Sequence, residues 1–188
     1  MSSVVNGLQA ALLLARGRPD GLGLLDHKPD AAMRAAAGSF WAIAFALPGF
    51  VALHVMDWVI SGEPSGVGRA FAQDLLGFVI GWLAFALLSH RVAELTGRAA
   101  LWPRFITAWN WCNVIQYLIL VVATLPGLLG LPAFIGQACW LVAIFWALWL
   151  EFFTTRLALA LSVRSAVALV ALDFSLGIAL IFIIAGFN

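Results

Sequence analysis

Hydrophobic residues in this chain form long unbroken runs instead of the alternating pattern of a soluble fold. Five runs are long enough to cross a bilayer, which takes about 20 residues, and they cover 38–60, 69–89, 104–125, 133–155 and 165–187. The apolar character of the fourth run continues weakly to residue 162. Because the loops are short, we expect neighbouring spans to run antiparallel. The pattern predicts an all-α, polytopic membrane helix bundle with five transmembrane helices.

A shorter apolar stretch, 4–16, precedes these runs and cannot span a membrane. Its apolar side chains, Val5 and Leu12 among them, recur on one helical face, and polar side chains lie off that face. This pattern is typical of an amphipathic helix lying in the membrane interface. A linker rich in Gly, Pro and Asp follows it. We therefore divide the chain into an N-terminal cytoplasmic segment, 1–35, and a five-span domain, 36–188.

Two prolines are expected to affect the shape or the length of the predicted spans. Pro48 with Gly49 lies near the middle of the first span, where a missing backbone donor predicts a kink. Pro126 follows the third span, and we expect the helix to stop there.

The amino-acid composition indicates whether the chain folds in water or in lipid. The chain is 64% hydrophobic and only 10% charged, whereas a soluble domain has about a quarter of its residues charged. Lipid must therefore be its medium. The net charge of +1, with no run of Lys or Arg, excludes a nucleic-acid partner. Cys112 and Cys139 both lie inside spans, which argues against a disulfide framework.

The basic residues predict the orientation. Nine of the ten lie on the side of the N-terminus, the second–third loop and the fourth–fifth loop, and only Arg69 lies on the other. By the positive-inside rule the N-terminus is cytoplasmic and the C-terminus lies outside. The predominance of Arg over Lys is typical of a GC-rich bacterial genome. We expect a multi-pass protein of the bacterial inner membrane with a periplasmic C-terminus.

Polar residues within the spans are expensive and form the main lead to function. At 1.5 Å per residue, several of them fall in one layer of the cytoplasmic half of the membrane. The predicted intramembrane polar cluster is Asn110, Asn113, Tyr117, Glu151 and Asp173. It has two interpretations: interhelical glue that fixes helix register, or a proton or ion relay. Glu151 has the further alternative of an ion pair with Arg156 or Arg91.

A second polar group is predicted at the outer end of the first two spans. It consists of His54, Asp57, Gln73 and Asp74. His54 and Asp57 are three residues apart and share a helical face. One histidine with two acids provides fewer ligands than a typical metal site. We therefore interpret the group as a hydrogen-bonded interfacial cluster and predict no metal.

Enzyme signatures do not occur in the sequence. It has no HExxH helix, no GxSxG elbow and no phosphate-binding loop. It also has no lysine in any span that could form a Schiff base with retinal, and no inverted repeat. We expect a protein that is not an enzyme and that has no cofactor.

The last third of the chain carries a family resemblance. Residues 140–184, with the turn LSVRSAVA at 161–168, resemble the last two spans of bacterial members of the Yip family, the Ypt-interacting proteins. The segment PDAAMRAAAGSFWAI at 29–43 is compatible with that family's first span. The resemblance implies five spans, a cytoplasmic N-terminus and an amphipathic opening segment. The vesicle-trafficking role of the eukaryotic members is not carried over to a bacterial chain.

These observations favour a non-enzymatic scaffold or accessory subunit that organises membrane proteins or lipid. Its expected partners are the lipid bilayer and other membrane proteins or further copies of itself. The alternative is a transporter or channel for a small solute, a proton or an ion, which would use the intramembrane acids. A membrane-embedded lipid enzyme comes third.

Overall fold

The computed structural model describes residues 2–25 and 28–185. Within them every regular element is helical, and no strand occurs. The helices are α1 (Ser2–Ala15), α2 (Pro29–Ser39), α3 (Ala42–Ser61), α4 (Val67–Leu95), α5 (Trp102–Leu128), α6 (Ala133–Ala158) and α7 (Val163–Ala185), with 3-10 turns at Pro19–Leu24 and Ala99–Leu101. Five segments are long and apolar enough to cross a membrane: α2 with α3, then α4, α5, α6 and α7. The predicted all-helical, five-span architecture is confirmed.

Proline affects the helices less than the sequence predicts. The expected stop at Pro126 is wrong, because α5 continues to Leu128. A proline within the last turn removes only one backbone bond, and the next turn still closes through Leu129 N–H to the Leu125 carbonyl at 2.9 Å. Helix α3 also runs through Pro48, and the kink there stays a prediction. The first span is instead interrupted between α2 and α3, at residues 40–41.

Helix α5 is the centre of the bundle. It packs against α3, α6, α1 and α2, and its residues 105–112 are all buried. Polar bonds tie it to α6: Gln116 Nε2 donates to the Ala147 carbonyl at 3.0 Å, and Cys112 Sγ lies 3.7 Å from Thr154 Oγ1. The helices that pack against α5 are therefore positioned by it.

Helix α1 lies across the bundle instead of along it. Gly7 meets the Trp111 indole on α5, and Gly17 meets Trp149 on α6. Trp111 is nine residues from the start of α5, and Trp149 is nine residues from the end of α6. These two helix ends lie on the same side of the bundle, so each tryptophan lies roughly 14 Å from that side. The bundle-facing side of α1 is made of small residues with one leucine, Ala10, Ala11 and Leu14, and the larger Val5 and Leu12 are exposed. Helix α1 is thus packed on the spans through its contacts with α5 and α6.

The outer surface of the bundle is apolar. Large side chains such as Phe145 and Phe182 expose 67% and 73% of their surface. Water would make this exposure unfavourable, whereas lipid does not. The small residues are used for helix–helix contact, as expected where lipid and core are equally apolar. On α4, Gly77 and Gly81 face Ile184 and Leu180 of α7 and permit a close approach.

We predict that Gly7→Ala detaches or distorts α1. A methyl group at this position would overlap the ring of Trp111, which is buried and rigid, and overpacking of this kind costs roughly 1–3 kcal/mol. The thermal unfolding midpoint in detergent, followed by tryptophan fluorescence, should fall. Gly38→Ala on α2 is the control, since nothing lies within 4 Å of the added carbon. Equal midpoints for the two variants would contradict this packing.

Candidate functional site

A cleft of about 400 Å³ opens between α3 and α5 on one wall and α4 and α7 on the other. It runs along α4 from Asp74 to Trp82, which is roughly 12 Å. It is lined by aromatic, glycine and polar side chains together. The lining residues that carry the chemistry are Phe50, His54, Asp74, Phe78, Trp82, Trp109, Asn113, Tyr117 and Asp173. This mixture distinguishes the cleft from the apolar grooves on the lipid-facing side of α6.

The cleft is closed at its deep end by indole rings. Trp82 of α4 meets Trp109 of α5 edge to face at 5.5 Å between centroids, and Phe85 lies 4.6 Å from Trp109 on the far side. Trp82 and Phe85 are both buried. Aromatic packing of this kind contributes beyond its buried area. The half of α4 beyond Trp82 is thus sealed against α5.

A chain of hydrogen bonds anchors this floor. Trp82 Nε1 donates to Asn110 Oδ1 at 2.6 Å, Asn110 Nδ2 donates to Ser39 Oγ at 2.7 Å, and Ser39 Oγ donates to the Ala36 carbonyl at 2.7 Å. Asn110 and Ser39 are almost completely buried. The chain joins α4, α5 and α2. Asn110 therefore serves helix packing and does not meet the acids.

Asp173 of α7 lies at the deep end of the cleft, ten residues from the start of its helix and twelve from the end. Its carboxyl interacts with that of Glu151 on α6. Tyr117 is close enough for an electrostatic interaction with Asp173. Glu151 lies behind it, is only 7% exposed and also meets the Trp109 indole. Its Oε1 has no hydrogen-bond partner among the described residues. Two carboxyl groups from two helices thus meet inside the bundle.

The expected ion pair of Glu151 with Arg156 or Arg91 does not form. Arg91 pairs with Glu94 one turn along α4, and Arg156 is exposed at the end of α6. Both arginines lie closer to the helix ends, where water can solvate them. Glu151 points instead into the bundle toward α7.

His54 and Asp74 form the mouth of the cleft. His54 Nε2 lies 3.3 Å from Asp74 Oδ2, and His54 Nδ1 lies 2.9 Å from the Phe50 carbonyl. A carbonyl can only accept, so Nδ1 carries a proton. Nε2 faces the Asp74 carboxyl, so the pair connects α3 to α4.

The other two residues of the predicted outer group lie elsewhere. Asp57 is exposed and accepts a bond from Ser61 at 3.2 Å. It lines a separate cavity of about 320 Å³ with Thr124 and Gln137, between α3, α5 and α6. Gln73 does not line the cleft, and its Oε1 is buried without a partner among the described residues. His54 and Asp57 thus diverge, although they are three residues apart.

The intramembrane group is divided in a similar way. Asn113, Tyr117 and Asp173 line the cleft, and Glu151 stands behind Asp173. Asn113 Nδ2 donates to the Trp109 carbonyl at 3.0 Å, which leaves its amide oxygen unused by that bond. Sequence reasoning missed Trp82, Ser39 and the glycine face of α4. The glycine face had a signal, since Gly77 and Gly81 have the spacing of a close-packing motif.

In the part of the chain that is described, no three His, Cys, Asp or Glu residues converge as a metal site would need. His54 and Asp74 together supply two side chains that could act as metal ligands. The residues that line the cleft supply carboxyl, imidazole, amide and hydroxyl groups together with aromatic rings.

Comparison with known proteins finds no relative. No protein-family model matches the chain, and neither the curated proteins nor the solved structures contain a significant match. The resemblance to the Yip family stays a prediction.

We predict that Asn110→Leu destabilises the protein. Leucine has a similar size but leaves the Trp82 indole N–H without an acceptor, and an unsatisfied buried donor costs roughly 1–3 kcal/mol. The unfolding midpoint in detergent should fall clearly. Thr124→Val is the control, because Thr124 bonds only the Leu120 carbonyl of its own helix. If the two variants shift the midpoint equally, the bridge has no special role.

Proposed function

We propose that this protein is a small transporter whose Glu151–Asp173 pair exchanges protons through the cleft. The observation that carries the proposal is the cleft itself, which reaches an intramembrane carboxyl near the middle of its helix. Ionisable groups at this depth belong to ion and proton pathways when they face a cavity. A scaffold or accessory subunit needs no such access. The transport alternative is therefore favoured over the scaffold role, and we retain the expectation of no enzymatic activity.

The polar groups define a route for the proton. It begins at the His54–Asp74 pair, passes Tyr117 and reaches Asp173 and Glu151 at the floor. Thr155 lies one turn beyond Glu151 on α6 and is buried, with its hydroxyl unpartnered among the described residues. It continues the polar line toward the opposite side. The aromatic floor interrupts any water path there, so transport requires α4 to move relative to α5.

We relate this movement to the packing of α4. Its deep half is held by Trp82 and Phe85, whereas its other half contacts α7 through Gly77 and Gly81 and meets α3 through the side chains of Asp74 and Phe78. Rigid-body motion of α4 with α7 would open one end while it closes the other. Alternating access in transporters uses rocking of this type.

We further propose a location in the bacterial inner membrane with the N-terminus in the cytoplasm. Nine of ten basic residues support this orientation. His54 and Asp74 then lie in the periplasmic halves of α3 and α4, each seven residues from the α3–α4 loop.

We expect Asp173→Asn to abolish proton flux. Asparagine keeps the size of the side chain but cannot take up or release a proton. Purified protein in vesicles containing a pH-sensitive dye is given an outward potassium gradient with valinomycin, and acidification is recorded. Asp57→Asn, in the separate cavity, should behave as the unchanged protein.

Two results decide this test. Flux that persists in Asp173→Asn at the level of the unchanged protein contradicts the relay. Wild-type vesicles that acidify no faster than protein-free vesicles contradict it as well. A monodisperse elution profile in detergent verifies that each variant is folded.

Orientation has its own test. In a background where Cys112 and Cys139 are alanine, Glu63→Cys and Arg98→Cys place one thiol on each side, and both positions are exposed. We expect a membrane-impermeant maleimide to label intact cells at position 63 and not at position 98. The reverse pattern would invert the proposed orientation of the cleft.

A further inference from the structure

The walls of the cleft carry a continuous aromatic surface. Phe78 lies at its centre, with ring centroids 4.7 Å from Phe50, 5.4 Å from Trp82 and 5.6 Å from Tyr117. Most of these contacts are tilted or edge to face, so ring faces remain available to the cavity. Aromatic faces attract cations, and the attraction grows when water is removed.

The charges of the cleft favour the same sign. Asp74 faces His54 at 3.3 Å. Asp173 lies at the deep end, and no lysine or arginine is among the described residues that line the cleft. Glu151 adds a second carboxyl directly behind it. Two acids this close repel each other when both are ionised, so one proton or one cation relieves the repulsion.

An inorganic cation fits the cleft poorly. Calcium takes six to eight oxygen ligands and magnesium keeps a rigid octahedral shell, whereas the floor offers the Asp173 carboxyl, the Asn113 amide and the Tyr117 hydroxyl among indole and phenyl rings. A volume of about 400 Å³ is within the range of sites for small organic molecules. Gly177 of α7 lines the cleft with nothing within 4 Å of an added side-chain carbon, so it leaves room for a bulky ring.

We propose that the cleft binds a hydrophobic, monovalent organic cation, with the charge at Asp173 and the apolar body against Phe78 and its neighbours. This inference rests on the proposed function and names its substrate class. The cation and the proton compete for the same carboxyl pair. Binding of the cation then releases one proton from that pair, so the net charge of the site is conserved.

The test uses tetraphenylphosphonium and purified protein in detergent. Binding is measured by titration calorimetry and by quenching of tryptophan fluorescence, to which Trp82 and Trp109 should contribute. We expect saturable binding with one proton released per cation, measured as a dependence of the heat on the ionisation enthalpy of the buffer. Neutral triphenylphosphine oxide should bind at least tenfold more weakly.

Variants separate the charge from the rings. Asp173→Asn should remove binding and proton release. Phe78→Leu should weaken binding roughly 2- to 30-fold, the range of a cation–π contact. Phe134→Leu on the exposed surface of α6 and Asp57→Asn are the matched controls and should bind as the unchanged protein does. Equal affinity of Asp173→Asn and the unchanged protein, or of the cation and its neutral analogue, overturns the inference.

The inference and the proposed function fail in different ways. If proton flux depends on Asp173 but tetraphenylphosphonium does not bind, the substrate class is wrong and the relay stands. If tetraphenylphosphonium binds through Asp173 but flux is the same in Asp173→Asn, the cation site is supported and the proton relay is overturned.

Discussion

A polar group inside a bilayer has to find its partner within the protein, because the hydrocarbon offers none. This constraint explains most of the internal organisation of the bundle. Asn110 bridges Trp82 and Ser39, Gln116 reaches a carbonyl of α6, and several hydroxyls return to their own helix. The Glu151–Asp173 pair departs from the pattern, since one carboxylate oxygen has no partner among the described residues. Gln73 Oε1 and Thr155 Oγ1 also lack a partner there, but Glu151 differs from them because it meets a second carboxyl, which lines the cleft.

The two halves of α4 respond to this constraint in opposite ways. The half with Trp82 and Phe85 is large, aromatic and locked to α5. In the half with Gly77 and Gly81, α7 packs closely on the two glycines, and α3 is reached by the side chains of Asp74 and Phe78. The cleft lies between these contacts. The titratable side chains that line the cavity are His54, Asp74, Tyr117 and Asp173, among aromatic, aliphatic and glycine residues.

Glu151 and Asp173 belong to different helices, so their proximity depends on the packing of α6 against α7. Their interaction with Trp109 and Tyr117 connects them to α5, the helix that contacts most of the others. A change of protonation or of bound charge at this point therefore acts where three helices meet. Such a position suits a site that couples ligand binding to movement of the α4–α7 pair.

The lateral position of the N-terminal segment is a separate feature. Helix α1 reaches the bundle with small side chains, Gly7, Ala10 and Ala11, and exposes larger ones. In water the larger apolar face would be buried. In a membrane the surrounding lipid solvates large apolar groups, and small residues are left for close helix contact.

The amino-acid sequence by itself determined the solvent, the number of spans and their approximate limits, because length and hydropathy alone decide whether a helix can cross lipid. It also identified the polar residues of the spans, since each one is costly there. Only the tertiary structure decided their partners. Asn110 and Asn113 are three residues apart, yet one fills a buried bridge and the other lines the cleft. His54 and Asp57 diverge in the same way. Two residues three apart lie at opposite edges of one helical face, so they can meet different neighbouring helices. Which helix each side chain meets depends on packing between spans that are distant in sequence.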